Sequence, residues 1–259
     1  MAEQERDTPF SLGSIKYKYL ITSNKRGVGK TSLATNLAVA LSKRKKKVGL
    51  IDLDLHGTDN LNILRLNGFY EIDENKRVIP KLSSKYLKTI SIKASKQNIG
   101  QDEVWTDDLS TRVIGQFVAD IDWGDLDYLF VDAPPGKGKA SLAVIQSILG
   151  AKVIFVSTPE KEPLPQLAEL IKFYQTAQIP IVGLIENMSG FWCEDCARTG
   201  ESTFRESNIM NVDYLGRIPF DPHMADFTSS DQFFTEIYPN SEATHGYELV
   251  VDKILEDSR

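Results

Sequence analysis

The feature that most constrains this chain is the stretch Tyr19-Leu-Ile-Thr-Ser-Asn-Lys-Arg-Gly-Val-Gly-Lys-Thr-Ser-Leu33, an apolar run followed by a short basic loop and the opening of a helical pattern. Residues 17–22 read as a buried strand. Leu33, Leu37, Ala40 and Leu41 recur at helical spacing, so the loop is predicted to lie at a helix N-terminus. Unpaired N–H groups and the helix dipole favour bound phosphate at such a point. A phosphate-binding loop asks for Gly, four free positions and then Gly-Lys-Ser/Thr. Gly29, Lys30 and Thr31 supply the end of that pattern, and Asn24 stands where the first Gly is asked for. In this reading Gly27, Val28 and Gly29 wrap the phosphates and Lys30 neutralises the β- and γ-phosphates. Thr31 offers its hydroxyl to Mg²⁺, and Ser32 reaches the α-phosphate.

Two later stretches share one grammar, an apolar strand that ends in a carboxylate. Val48-Gly-Leu-Ile-Asp52-Leu-Asp54 ends in a pair that alternation sends to one side, and Tyr128-Leu-Phe-Val-Asp132 ends in a single Asp before Ala-Pro-Pro-Gly136. In a parallel sheet such residues emerge at the carboxyl edge of the strands, where ligands bind. Asp52 and Asp54 are therefore expected to face the phosphates, and Asp132 to reach the Mg²⁺ shell through water. Gly136 and Gly138 form a loop whose N–H groups are candidates for sensing the γ-phosphate. Strand candidates at 153–156 and 181–185 alternate with helical patterns at 142–149 and 164–176, and helical patterns also begin at Asp107 and run over 246–257. Such alternation predicts an α/β fold of three layers, a mostly parallel sheet with helices on both faces. Residues 1–14 read as a flexible lead-in and 15–259 as one domain. Residues 60–98 carry only a weak pattern of loops and a hairpin.

Composition narrows the function classes. With 259 residues, 41% of them hydrophobic, the chain can bury a substantial core, and its net charge of -6 provides no global basic field for nucleic acid or acidic lipid. Neither a membrane nor nucleic acid is expected as a partner. The cationic run Ser42-Lys-Arg-Lys-Lys-Lys47 is positioned to cap the end of the first long helix. No apolar run approaches the roughly 20 residues of a membrane span, and the polar start suggests a cytoplasmic protein. The two cysteines, Cys193 and Cys196, have a spacing that suits metal or redox chemistry. A closed cluster or zinc site wants four protein ligands, so a second copy of the chain would have to supply the other pair.

Taken together, these segments resemble the MinD/ParA class of P-loop ATPases and, within it, the Mrp (ApbC) family of iron–sulfur cluster carriers. The segments are Lys25-Arg-Gly-Val-Gly-Lys-Thr31, Asp52-Leu-Asp54-x-x-Gly57, Asp122-Trp-Gly-Asp-Leu-Asp-Tyr-Leu129 leading to Asp132-Ala-Pro-Pro-Gly136, Val156-Ser-Thr-Pro159, Asn187-Met-Ser-x-Phe191-x-Cys193-x-x-Cys196, and Leu215-Gly-x-Ile-Pro219-x-Asp221-Pro222. The resemblance implies that Lys25 reaches across a homodimer to the partner's nucleotide, that Asp54 positions the attacking water, and that Asn187, with Pro219 and Asp221, helps bind the nucleotide, Asn187 at its adenine. It also implies that Cys193 and Cys196 of two subunits bridge a [4Fe–4S] cluster destined for apo-proteins. Two alternatives stay open: a positioning or partition ATPase, and a nucleotide-binding regulator whose cysteines hold zinc or nothing. The chain departs from the family at Asn24 and Arg26, which stand where the family has Gly, and at Lys139, where the switch loop usually ends in Asp. Arg26 is expected to tolerate a left-handed backbone poorly and to add bulk and charge where two P-loops approach.

Overall fold

The computed structural model describes residues 10–55, 61–66, 70–96, 107–159, 164–193, 198–199, 209–226 and 232–258. Its centre is a sheet with the strand order β10-β9-β8-β1-β7-β2-β6-β5, with β11 paired to β9. The P-loop strand β1 (Tyr17–Ser23) lies between β7 (Tyr128–Asp132) and β8 (Lys152–Ser157), parallel to both. Beyond β7 come β2 (Val48–Asp52) and β6 (Leu87–Ser91), also parallel, and then the antiparallel edge strand β5 (Lys81–Ser84). On the other side β8 pairs with β9 (Ile181–Cys193), which carries β11 (Tyr214–Phe220) in parallel and the short β10 (Arg198–Thr199) antiparallel. A two-stranded hairpin of β3 (Glu71–Ile72) and β4 (Val78–Ile79) stands apart.

The central strands are continuous apolar runs because both faces are covered. Tyr19, Ile21, Tyr128, Phe130, Ile154 and Val156 pack on one face against α2 (Lys30–Lys43) and α9 (Glu242–Asp257). The intervening Leu20, Leu129, Val131, Val153 and Phe155 pack on the other against α4 (Asp107–Ala119), α5 (Lys139–Ser147) and α6 (Leu164–Thr176). Period-two alternation thus divides each strand between two cores. The expected α/β architecture, a mostly parallel sheet with helices on both faces, is the one observed.

Three local readings are refined. Residues 60–98 hold a full member of the main sheet, β6, as well as the hairpin, and α3 (Ile92–Lys96) follows it. Within the stretch read as a lead-in, α1 (Phe10–Gly13) buries Leu12, while residues 1–9 lie outside the described ones. The final helix begins earlier than its apolar pattern, at Glu242, because Ser241 caps it by accepting the Thr244 N–H. The cations after α2 are bound to the protein itself: Lys43 Nζ donates to the Thr235 carbonyl at 2.6 Å, Arg44 pairs with Asp252 at 3.2 Å and Lys47 pairs with Asp125. Among the described residues no helix is long and apolar enough to cross a membrane.

Candidate functional site

The site grows from the end of β1. Gly27 (φ 79°) and Gly29 (φ 74°) turn the chain through the left-handed region and deliver it into α2, whose first residue is Lys30. The N-cap residue Gly29 has no side chain to cap the start of α2, where the helix dipole favours a bound anion. A side chain at Gly29 has no room: a Cβ there would lie 2.4 Å from Nδ2 of Asn187 and 3.0 Å from the Met188 methyl. Asn187, in β9, donates from Nδ2 to the Val28 carbonyl at 2.8 Å and so ties the loop to a neighbouring strand. Asn24 and Arg26 are not among the positive-φ residues. The left-handed strain expected at Arg26 is therefore absent, because the two glycines that remain take both left-handed positions. Arg26 is exposed. The side-chain amide of Asn24 is buried with neither its N nor its O hydrogen-bonded, which fits a loop that closes around a polar group.

Under the loop lies a buried cluster of charges. Parallel register brings Ile21, Asp132, Asp52 and Ser91 side by side across β1, β7, β2 and β6. Lys30 donates to one carboxylate oxygen of Asp132 and Thr31 Oγ1 to the other. Lys30 Nζ also stands 3.9 Å from Asp54. Asp52 Oδ1 accepts the backbone N–H of Asp54 at 2.9 Å, which turns the chain after β2 and brings the second carboxylate to Lys30. Asp52 Oδ2 accepts from Ser91 Oγ at 2.9 Å and faces Lys93 Nζ at 3.7 Å. Burial, reinforced by the Asp132 carboxylate and opposed by Lys93, pushes the Asp52 carboxyl up to about 6.

The switch loop is fastened to this frame. Gly136 N–H donates to the Ser23 carbonyl at 2.8 Å. Ser141 Oγ donates to the Gly136 carbonyl at 2.9 Å, and Lys137 pairs with Glu169 of α6 at 2.6 Å. Ser23 Oγ donates to the Lys25 carbonyl at 2.7 Å, and Lys25 itself is half-buried.

Pro219, near the end of β11, and Asp221, just after it, line a cavity of about 770 Å³ with His223, Tyr238 and Ser241 at the start of α9. There Asp221 Oδ1 accepts the His223 backbone N–H at 3.0 Å and lies 2.9 Å from His223 Nδ1, and the His223 and Tyr238 rings sit 4.6 Å apart. Ile218 pairs with Asn187 in register, which sets this cavity beside the P-loop's Asn187 anchor. Cys193 is the last residue of β9 and pairs in register with Arg198, while Cys196 and Gly57 lie outside the described residues.

The residues that sequence reasoning missed are Ser91 and Lys93. Their signal was present in Leu87-Lys-Thr-Ile-Ser91, an apolar strand ending in a polar residue, but Lys88 blurred the run. Chemically the arrangement offers an uncapped helix start and one ammonium for phosphate. The Thr31 hydroxyl and Asp132 carboxylate form an oxygen donor pair that fits Mg²⁺. The Asp54 carboxylate stands 3.9 Å from that ammonium, in the same cluster.

Comparison with known proteins points the same way. The family model described as ParA, NUBPL iron-transfer P-loop NTPase, matches residues 14–255. An iron–sulfur cluster carrier protein of Methanocaldococcus jannaschii is 32% identical over 265 residues, which cover 99% of this chain and 90% of the relative. The cytosolic Fe–S cluster assembly factor CFD1 of Kluyveromyces lactis is 33% identical, covering 96% of this chain and 92% of its own length. Among solved structures, a nucleotide-binding protein of Archaeoglobus fulgidus in complex with ADP matches with a TM-score of 0.72 at 26% identity, over 90% of this chain and 96% of that one. The cell division ATPase MinD of Pyrococcus furiosus matches with a TM-score of 0.70 at 20% identity, over 93% and 99%, a likeness of fold alone.

Proposed function

Because the chain belongs to the ParA/NUBPL family of iron-transfer P-loop NTPases, we propose that it is an ATP-binding, slowly hydrolysing carrier that holds a [4Fe–4S] cluster between two copies of itself and hands it to apo-proteins. What supports the reading is that the buried Lys30–Asp132–Asp54 cluster and the end of β9 at Cys193 share the carboxyl edge of one sheet. Nucleotide state and cargo would then meet on one face of the molecule. The full-length likeness to proteins named as cluster carriers and assembly factors supports the cargo.

In this reading ATP lies along the loop, with its phosphates on the N–H groups at the start of α2. Lys30 turns from Asp132 to the β- and γ-phosphates, which releases one oxygen of Asp132, and Thr31 turns its hydroxyl away from the other. Mg²⁺ would be held by Thr31 and, through water, by Asp132, and would supply positive charge against the phosphates. Asp54 accepts a hydrogen bond from the attacking water and aligns it with the γ-phosphorus. Lys25 extends to the nucleotide of the partner subunit. Asn187, Pro219 and Asp221 border the space assigned to the base. Lys139 puts a cation where relatives of the class carry an acid, which favours tight phosphate binding over rapid release and fits slow turnover. A cytoplasmic setting belongs to the reading, in keeping with the cytosolic relatives.

The test is cluster transfer. Protein reconstituted without oxygen and then freed of loose iron and sulfide should restore the activity of an apo [4Fe–4S] enzyme, and the Cys193→Ser variant should not. Equal restoration by the variant refutes the carrier role. ATP-dependent co-sedimentation with lipid vesicles or DNA, together with no transfer, would replace it with a positioning ATPase.

A further inference from the structure

The carboxylate cluster has a second ammonium that the reading above leaves unused. Asp52, Asp54 and Asp132 form a buried group of three acids, and Lys30 faces two of them. Lys93 enters from α3, just after β6, the third strand from the P-loop strand beyond β7 and β2, with its side chain only 9% exposed and its Nζ 3.7 Å from Asp52 Oδ2. It is held from behind: its own N–H donates to Ser91 Oγ at 3.2 Å, and that hydroxyl donates to the same carboxylate oxygen. Ser91 is fixed in turn by Tyr70, which donates to its carbonyl at 2.8 Å and accepts its N–H at 2.7 Å. A buried ammonium set against a carboxylate, on a backbone anchored to the same hydroxyl, is a permanent part of the site's charge.

The two lysines have different freedom. Lys30 lies at the helix start beside the phosphate-binding loop and has a second destination, the phosphates, while Lys93 has Asp52 in front of it and a strand behind. When Lys30 leaves, an Asp52 without Lys93 would stand as an uncompensated buried anion next to Asp132, facing an incoming polyanion.

We propose that Lys93 is a positioning residue of the nucleotide site, a resident counter-cation that acts through Asp52 and lets the site accept a nucleoside diphosphate without Mg²⁺. The inference rests on the reading of this site as a nucleotide site. It follows from charge bookkeeping across the sheet. Asp52's strand is two strand spacings, about 10 Å, from that of the loop. At that range, with nearly water-like screening, one elementary charge changes the binding of free ADP, with about three negative charges, by about tenfold. The Mg²⁺ complex, with about one net negative charge, changes only about twofold.

The experiment is titration of ADP by calorimetry, in excess EDTA and again in excess Mg²⁺, on the full chain and on Lys93→Met, Lys93→Gln and Lys93→Arg. The neutral variants should lose about tenfold in EDTA and about twofold with Mg²⁺, and Lys93→Arg should match the parent in both. Thermal melts identify a variant that has not folded, and either neutral variant suffices. Parent protein that binds no ADP overturns the nucleotide reading and this inference with it. Parent protein that binds ADP, with neutral variants unchanged in EDTA, overturns the inference alone. So does a loss that is equal with and without Mg²⁺, or one that Lys93→Arg shares, since either means packing and not charge.

Discussion

Replacing Gly29 by Ala tests how the loop, the neighbouring strand and the site are joined. Two costs can be read from the geometry. The first is the backbone, since φ is 74° at Gly29, and a Cβ in the left-handed region costs about 1–2 kcal/mol. The second is contact. The new Cβ would lie 2.4 Å from Asn187 Nδ2, and Asn187 is 4% exposed and bonded to the Val28 carbonyl, so it can yield only by giving up a buried hydrogen bond worth about 1 kcal/mol. The Met188 methyl at 3.0 Å is the end of a flexible chain and moves at little cost. The sum is about 2–3 kcal/mol, or a fall in Tm of about 4–12 °C for a chain of this size. Gly27 provides the control: its φ is 79°, but no atom lies within 4 Å of a Cβ there, so Gly27→Ala should lose the backbone part alone. Urea unfolding of both variants should separate them by about 1 kcal/mol, and Asn187→Ala should abolish the gap. Two alanine variants of equal stability would refute the coupling of loop to β9 through Asn187.

Asp52 gives a pH signature. Its carboxyl is raised from 3.8 to about 6 in the folded protein, mainly by burial. As pH rises from about 4 to about 6 the unfolded chain releases this proton first, so the residue's contribution to stability falls across that window and stays low above it. Asp52→Asn also removes the partner of Lys93, a loss that does not vary with pH in this range. Its stability relative to the parent should therefore improve by about 2 kcal/mol between pH 4.5 and 7.5 in chemical unfolding, and a flat difference would contradict the burial of an ionising Asp52. Arg26→Gly relieves no left-handed backbone strain, so monomer stability should change by less than about 1 kcal/mol, while ATP-dependent dimerisation strengthens as one positive charge leaves a surface that also carries Lys25. Sedimentation velocity with ATP reads this directly, and a weaker dimer would make Arg26 a contact to the partner's phosphates.

What could be read from the sequence followed from how burial writes itself into it. Strands covered on both faces are uninterrupted apolar runs, and β1, β2 and β7 end in the polar residues Ser23, Asp52 and Asp132, buried at the carboxyl edge, so that edge and the loop at its centre were visible together. β6 was not, because Lys88 breaks its run and the lysines of the stretch before it blur its start. Lys88 reaches sideways to the Trp123 carbonyl at 2.7 Å, and Lys81 lies on the exposed edge strand, so these charges are paid for by tertiary contacts that no local pattern displays. Lys93 was hidden for the same reason, since its meaning depends on Asp52, which is far from it in sequence and beside it across one strand spacing. The acceptor of the Gly136 N–H, the Ser23 carbonyl, comes from another segment of the chain and has no local signal. The departure at Arg26 looked costly by comparison with a family pattern, and the backbone shows that the two glycines kept by this chain are the two that the left-handed turns require.

The claim on which the account turns is that Cys193 and Cys196 of two subunits hold an iron–sulfur cluster. The most direct measurement is the metal and sulfide content of protein purified and reconstituted without oxygen, read beside its mass in solution. Four thiolates shared by two chains predict about two irons and two sulfides per chain in a dimer, with both lost in Cys193→Ser. Zinc in place of iron, or the same iron content in Cys193→Ser, would contradict it.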